Sequence, residues 1–215
     1  MMCCIKKLFS KNKEEVKMDN KLKDFITNYM KDNDIPMEEI TLIGIRDSKD
    51  QDKDVINDQL GFISKDELFL CKGTTEPGVY WVKNKAERNK QGTFHLFAGF
   101  HPKMWSIGIH KGYEALTNQY PQCKPTKGWR DANYNFVEDA KDVVVCDYFG
   151  INFHRMHPIS IVDKIGKYSA GCQVVQNAKD LKYILTNIKN SLAYTSNKKA
   201  TFNYMLFTID QLPAS

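Results

Sequence analysis

The sequence predicts a β-rich α+β domain, because many short apolar segments suit strands and only two segments have helical periodicity. The chain has 215 residues, enough for one domain with a substantial core. Hydrophobic residues make up 42% of the chain and aromatic residues 12%, a composition that argues against disorder. We therefore expect a flexible basic leader at residues 1–18 and a single domain over residues 19–215.

Two helices are predicted, one near each end of that domain. Asp19 can cap a helix that runs to about Lys31, and Asn33-Asp34-Ile35-Pro36 ends it. The apolar face of this helix is Leu22, Phe25, Ile26 and Tyr29. The second helix is predicted from Ala178 to about Ala193, with its apolar positions at Leu181, Ile184, Leu185, Ile188 and Leu192.

Between and after the helices lie segments that are rich in β-branched, aromatic or other apolar residues, mostly bounded by Gly, Pro, Asn or Asp. The predicted strands are 41–46, 66–72, 78–83, 93–100, 104–110, 143–148, 151–154 and 201–209. The charged, apolar-poor or proline-containing segments suit loops, and these are 48–57, 84–92 and 119–128.

The charge and cysteine content limit the class of partner and compartment. Net charge is +5, from 31 basic and 26 acidic residues that are interspersed, which favours a solvated surface over a patch that attracts a polyanion. The six cysteines form no C-x-x-C pair, which disfavours a zinc ribbon or a disulfide scaffold and favours free thiols. We expect no nucleic-acid partner, and no Gly-rich phosphate loop is present.

The start of the chain does not have the pattern of a secretory signal, since no apolar run follows Lys6 and Lys7. No run of about 18 apolar residues occurs, so no transmembrane segment is expected. Cys3-Cys4 beside lysines is a weak acylation pattern, and a flexible leader is the favoured interpretation.

The most informative feature is a histidine followed by a cysteine-containing turn. His154 stands in Asn152-Phe153-His154-Arg155, and fourteen residues, 155 to 168, separate it from Ser169-Ala170-Gly171-Cys172-Gln173. Cys172 is either a small buried hydrophobe or a nucleophile, and a nearby imidazole can accept the proton of such a thiol. Gly171 lets the backbone approach closely, so the amides of this turn can point at one oxyanion.

This pattern resembles the signature of the L,D-transpeptidase (YkuD-type) catalytic domain, in which a His precedes [ST]-H-G-C by roughly 14–17 residues. His154, Ser169, Gly171 and Cys172 match, whereas Ala170 replaces the second His of the motif. Weaker pieces over residues 40 to 185 look like a phage-associated branch: Gly44-Ile45-Arg46, Pro77-Gly78-Val79-Tyr80, Gly108-Ile109-His110, Tyr113-Glu114-Ala115-Leu116, Trp129-Arg130-Asp131 and Gly150-Ile151-Asn152.

The resemblance implies a β-sandwich-like catalytic domain with two flanking helices and without a cofactor or metal. It also implies that Cys172 is the nucleophile and that His154, oriented by a backbone carbonyl, is the base. His157 is a rival base three residues away, and His154-x-x-His157 without an H-E-x-x-H helix leaves a zinc hydrolase as a weaker alternative.

The residues around this pair have predicted supporting roles. Ser169 is expected to support the turn through a hydroxyl–backbone hydrogen bond, and Ala170 and Gly171 complete the oxyanion turn. Arg155 is either a solvated charge or, with Asn152, part of a substrate site that binds a stem-peptide carboxylate. The resulting hypothesis is a cysteine-dependent peptidoglycan peptidase or transpeptidase of phage-lysin type. Its expected location is cytoplasmic until release, or virion-associated. The alternative is a non-catalytic virion or cell-wall-binding module that retains the fold.

Overall fold

A closed eight-stranded sheet forms the centre of the computed structural model, which describes residues 13–47, 54–84, 86–87 and 89–213. The strand order in this sheet is β1-β11-β5-β6-β9-β10-β3-β2, and a second sheet has the order β4-β7-β8. In the described part of the chain the strands are β1 (Thr41–Arg46), β2 (Asp58–Ile63), β3 (Leu68–Thr74), β4 (Thr93–Leu96), β5 (Gly99–His110), β6 (Tyr113–Thr117), β7 (Thr126–Asp131), β8 (Val143–Asp147), β9 (Asn152–Arg155), β10 (Gln173–Val175) and β11 (Thr201–Thr208).

The same described residues contain four α-helices, so the prediction of two helices was wrong in number. They are α1 (Lys13–Asp32), α2 (Val79–Lys83), α3 (Ala178–Asn190) and α4 (Leu192–Ser196), and a 3-10 turn follows at Ile209–Gln211. The β-rich α+β class is confirmed. The eight strands form a mixed, closed sheet, because β1 pairs with β11 and β9 pairs with β10 in parallel while the other neighbours are antiparallel.

The helix α1 covers one outer face of the closed sheet. Ile26 and Met30 are fully buried and pack with Ile43 and Ile45 of β1. The alternate residues of β1, such as Leu42, join the larger cluster that contains Trp105, Phe153 and Tyr204. Because β1 is buried on both faces, its interior, Leu42 to Ile45, has no polar side chain and is easy to predict as a strand.

The start of α1 corrects the predicted start of the first helix. The helix begins at Lys13, so Asp19 lies inside the helix and does not cap it. Residues 1–12 lie outside the described residues, and a basic leader there stays a prediction. A charged first turn without an apolar face does not show periodicity, which is why the sequence placed the start too late.

The segment 78–83 was predicted as a strand and forms the helix α2 instead. Five residues, Val-Tyr-Trp-Val-Lys, suit either structure by composition, so tertiary contacts decide. The Asp54 carboxylate accepts the Val79 N–H at 3.1 Å and the Gly166 N–H at 2.9 Å. A Cβ at Gly78 would lie 2.1 Å from the Gly166 carbonyl oxygen, so a glycine is required where these two segments meet.

The helix α3 closes the cluster from the C-terminal side. The Asn177 side chain caps it by accepting the Lys179 N–H, and Leu181, Ile184, Leu185 and Ile188 are its buried face. The predicted single helix to about Ala193 is interrupted at Ser191, which ends α3 and caps α4. None of the helices in the described ranges is long and apolar enough to cross a membrane.

Candidate active site around Cys172 and His154

The S-x-G-C turn is held by Ser169, as the sequence predicted. The buried Ser169 hydroxyl donates to the Cys172 carbonyl at 2.8 Å and accepts the Gly171 N–H at 3.2 Å. Gly171 has a φ of +114°, and a Cβ there would lie 2.5 Å from the Phe94 carbonyl oxygen. The turn therefore needs glycine both for its backbone conformation and for the approach of β4. Ala170 is exposed, so its side chain takes no part in this packing.

The parallel pairing of β9 and β10 brings the predicted nucleophile and base together. Gln173 lies beside Phe153 and Val174 beside His154. Cys172 therefore comes beside Asn152, whose backbone N–H donates to the Cys172 Sγ at 3.4 Å. Because side chains alternate along a strand, Cys172 and His154 belong to the same face of the sheet.

The hairpin of β5 and β6 extends this face on the other side of β9. His110 pairs with Tyr113, and Thr117 lies beside Asn152. The His110 ring stacks on the His154 ring, with 4.3 Å between centroids and 22° between planes. The Tyr113 hydroxyl lies 3.3 Å from His154 Nδ1. The strands β5, β6 and β9 thus bring two imidazoles and a phenol together, and the thiol lies on the adjoining turn that leads into β10.

His154 is buried, and the shorter of its two Nδ1 contacts defines its tautomer. Its Nδ1 lies 2.8 Å from the Arg155 carbonyl oxygen, which can only accept, so Nδ1 carries the proton and Nε2 keeps a lone pair. Burial lowers the pKa of His154 to about 3, and the neighbouring His110, Lys111 and Arg155 act in the same direction against the opposing effect of the Arg155 carbonyl. The imidazole is therefore neutral at physiological pH and keeps a lone pair on Nε2, but its low pKa makes it a weak base in the free protein.

Cys172 is partly buried and holds its proton more tightly than a free cysteine. Burial raises the pKa of the Cys172 thiol, while the Asn152 N–H, the Lys111 charge and the Ala170 N–H lower it. None of the hydrogen bonds between described residues joins Sγ to the His154 ring. In the free protein the pair is a neutral thiol next to a neutral imidazole, and the thiolate has to form as the reaction begins.

Arg155 stands at the edge of the site beside an open groove. Its guanidinium carbon lies 4.0 Å from the centre of the Tyr113 ring, and its Nη1 donates to the Met156 carbonyl. The groove has a volume of about 320 Å³. It is lined by the start of β6, the last residue of β9 and one face of α3, namely Tyr113, Glu114, Arg155, Ala178, Leu181, Lys182, Leu185, Thr186 and Lys189.

Two predicted site groups are already engaged in the free protein. The Gly171 N–H donates to Ser169, so oxyanion donors have to come from the neighbouring amides of this turn. The Asn152 side-chain Nδ2 donates to the Gly150 carbonyl at 2.9 Å and closes its own turn. The rival base, His157, accepts the N–H groups of Ile159 and Ser160 through Nδ1 and thereby stabilises the loop in which it lies.

Sequence reasoning did not assign His110, Lys111 and Tyr113 to the site. The available signal was the Lys111-Gly112 dipeptide between two apolar segments. A two-residue connection that ends in Gly between strand-like segments is typical of a tight β-hairpin. Both residues have positive φ, 47° and 85°, as a two-residue hairpin turn of this type requires. Recognising this hairpin would have placed His110 opposite Tyr113.

Comparisons with known proteins leave the geometry as the main guide to function. No protein-family model matches the chain, no curated protein matches it, and no solved structure matches its fold. Within the described ranges, His, Cys, Asp and Glu side chains form no group of three or more that could hold a metal ion.

Proposed function

We propose that the chain is a cysteine-dependent enzyme that acts on peptidoglycan stem peptides, resembling L,D-transpeptidases of the phage-associated branch. The observation that carries this proposal is the pairing of β9 with β10, which puts Cys172, in the turn before β10, and a neutral His154 with a lone pair on Nε2 on the same face. The backbone carbonyl that orients His154 matches the arrangement that the resemblance implies, so no acidic third residue is needed.

The proposed reaction is an acyl transfer in two steps. The Cys172 thiol gives its proton to His154 Nε2 as Sγ attacks the carbonyl carbon of an amide between an L-centre and a D-residue. The C–N bond then breaks, and His154 returns the proton to the departing amine, which leaves a thioester on Cys172. Water resolves the thioester in a peptidase, and an amine resolves it in a transpeptidase.

The groove beside Arg155 supports a peptide substrate with free carboxylates. Arg155, Lys182 and Lys189 line it, and Lys189 is paired with Glu114 at 2.6 Å. A planar guanidinium binds carboxylates through two parallel hydrogen bonds, so Arg155 is the group that we assign to a stem-peptide carboxylate. On this proposal the protein is a lytic enzyme that reaches the wall after release or as part of a virion.

Mass spectrometry of purified muropeptides after incubation with the protein tests the proposal. Wild type should release or exchange a stem-peptide residue, and Cys172→Ser should abolish turnover, because a hydroxyl is a far weaker nucleophile beside an imidazole without an acidic partner. An unchanged melting temperature in Cys172→Ser is the control for folding. Muropeptide turnover that persists in this variant would exclude the thiol mechanism.

A non-catalytic wall-binding or virion module is the second candidate. The raised pKa of the Cys172 thiol and the lack of a direct thiol–imidazole hydrogen bond favour it. Binding of muropeptides without any product, in wild type and in Cys172→Ser alike, would identify this candidate as the correct one.

A further inference from the structure

His110 is a half-buried imidazole group that the proposed reaction does not use. It is the last residue of β5, and its Nε2 is buried without a hydrogen-bond partner among the described residues. An unpaired buried polar nitrogen costs about 1–3 kcal/mol, a cost that a phenyl or aliphatic side chain at this position would avoid. The imidazole at position 110 therefore calls for an explanation beyond the filling of space.

The ring geometry connects His110 with the base. The two imidazoles lie nearly parallel, 22° apart, with 4.3 Å between their centroids, and the Tyr113 ring meets the His110 ring edge-on at 5.7 Å. A flat ring on one face of His154 and a bond from Nδ1 to the Arg155 carbonyl together leave the imidazole little freedom to rotate. A ring flip would put Cδ2 where Nδ1 lies and Cε1 where Nε2 lies, so the bond to the Arg155 carbonyl and the lone pair at the Nε2 position would both be lost.

The positive charges near the two rings shift the pKa of both imidazoles in the same direction. Lys111 lies in the turn next to His110, Arg155 lies on β9, and Tyr113 is an uncharged phenol whose pKa is raised by burial. Both cations lower the pKa of both imidazoles. Each imidazole, if protonated, would place a positive charge directly against the other ring.

We propose that His110 is a positioning residue for the base: its ring, stacked on His154, fixes the plane of that imidazole and keeps Nε2 free of a proton. The inference rests on the proposed function, since it assigns His110 a role in activating Cys172. It does not require a known substrate, because the reactivity of the thiol toward a simple reagent reports the state of the base.

The experiment measures alkylation of Cys172 by iodoacetamide from pH 4 to pH 9, with peptide-resolved mass spectrometry to separate Cys172 from the other cysteines. Thiolate alone gives a rate that falls about tenfold per pH unit below the thiol pKa. A neutral His154 that accepts the thiol proton adds a rate that stays level as the pH falls, until His154 itself is protonated. Wild type should show this acidic plateau, and His154→Asn should lose it.

His110→Leu removes the flat ring and should lower the plateau by roughly tenfold or more, because small misplacements of a base are costly. His110→Phe keeps a flat ring, so it should retain most of the plateau at pH 7. Because this change removes a group that lowers the pKa of His154, the plateau should end at a higher pH than in wild type. Ile109→Ala, a change at an exposed neighbour on the same strand, is the matched control and should behave as wild type. Nitrogen-15 NMR of the imidazoles gives the tautomer of His154 in each variant that keeps the wild-type fold.

The outcomes separate the two claims. A plateau that depends on His154 but is unchanged in both His110 variants would overturn the inference and leave the proposed function intact. If wild type and His154→Asn have the same pH profile, the thiol–imidazole pair itself is not active and both claims fail. A second tautomer of His154 in His110→Leu, with a single tautomer in His110→Phe and wild type, would support the positioning role.

Discussion

Among single residues, Ala170 is the main departure from the motif, because it stands where the related signature has a histidine. Ala170 is exposed, and the turn is held by Ser169 and Gly171 instead. The sequence alone identified the Ser169 hydroxyl as the support of this turn, because Ser has few roles in a tight turn other than bonding to nearby backbone. It could not show that position 170 faces solvent, since a four-residue turn has no periodicity.

We predict that Ala170→His changes the rate of muropeptide turnover only by a modest factor. The new side chain would point to solvent at the edge of the site, so it can add a contact to substrate without altering the turn. Steady-state turnover of wild type and variant under the same conditions measures the effect. An inactive wild type and an active Ala170→His would instead show that the natural site is disabled.

The depressed pKa of His154 predicts how stability depends on pH. The unfolded state binds a proton near pH 6.5 and the folded state only near pH 3, so His154 contributes stability that is fully present above pH 6.5 and is lost as the pH falls toward 3. At about 1.4 kcal/mol per pH unit, the loss over this window is at most about 5 kcal/mol.

The difference in the free energy of unfolding between wild type and His154→Asn, measured by urea denaturation at pH 4, 5, 6 and 7, isolates this contribution. The advantage of wild type should shrink as the pH falls. Taking the difference matters because Asp58 acts in the opposite sense. Burial raises the pKa of Asp58 to about 6, so its contribution is greatest below pH 3.8 and is lost as the pH rises through 6. A constant difference across the four pH values would contradict the prediction.

At the scale of elements, the hairpin of β5 and β6 both shapes the site and supplies its charge. Lys111 occupies a left-handed position with a φ of 47°, where Asn is favoured, and its ammonium lowers the pKa of Cys172. Lys111→Asn should therefore stabilise the fold by roughly 0.5 kcal/mol. The same change should slow alkylation of Cys172 at pH 7, because the thiolate loses a nearby positive charge.

Lys111→Arg is the control for this pair of effects, since it keeps the charge without improving the turn. Its melting temperature should not exceed that of wild type, and its alkylation rate should stay close to wild type. A gain of stability and of thiol reactivity together in Lys111→Asn would show that the charge does not act on Cys172.

Element prediction succeeded where burial or periodicity is strong. The bounds of β1 were predicted to the residue, and the α3 face was read from its apolar spacing. It failed for β2 and β7, which carry Asp, Gln, Lys and Gly within the strand. In β2, Gly61 is required because a Cβ would lie 1.8 Å from the Phe69 carbonyl oxygen, and this is a property of the neighbouring strand that no local pattern contains.

At the scale of the whole molecule, stability and the candidate site draw on different contacts. Ile26 of α1 is fully buried against the outer face of β1 and β11, in a cluster that contains none of the site residues. Ile26→Ala should lower the free energy of unfolding by about 2–4 kcal/mol through the lost contacts and the cavity. Alkylation of Cys172 well below the melting temperature should be unchanged, and a marked change would show that α1 and the site are coupled.

The closed sheet could not be predicted from the sequence, although most of its strands were. Closure depends on the parallel pairs β1–β11 and β9–β10, which join segments that are distant in the chain. The sequence placed Cys172 and His154 in one compact segment, and their common face follows from the register of β9 and β10. The presence of His110 and Tyr113 beside His154 could not be predicted, because it depends on the pairing of β6 with β9 in the folded structure.

The parallel pairing of β9 with β10 has a consequence for recognising related chains. The strands fix both ends of the crossover between them, and much of its middle, from Pro158 to Lys164, is exposed. A surface loop with anchored ends tolerates insertions at little cost, because doubling its length costs only about 0.6 kcal/mol. The number of residues between the histidine and the cysteine is thus free to drift while the site keeps its geometry. Patterns with a fixed gap would miss such chains, and patterns built on the two strands and an open gap would find them.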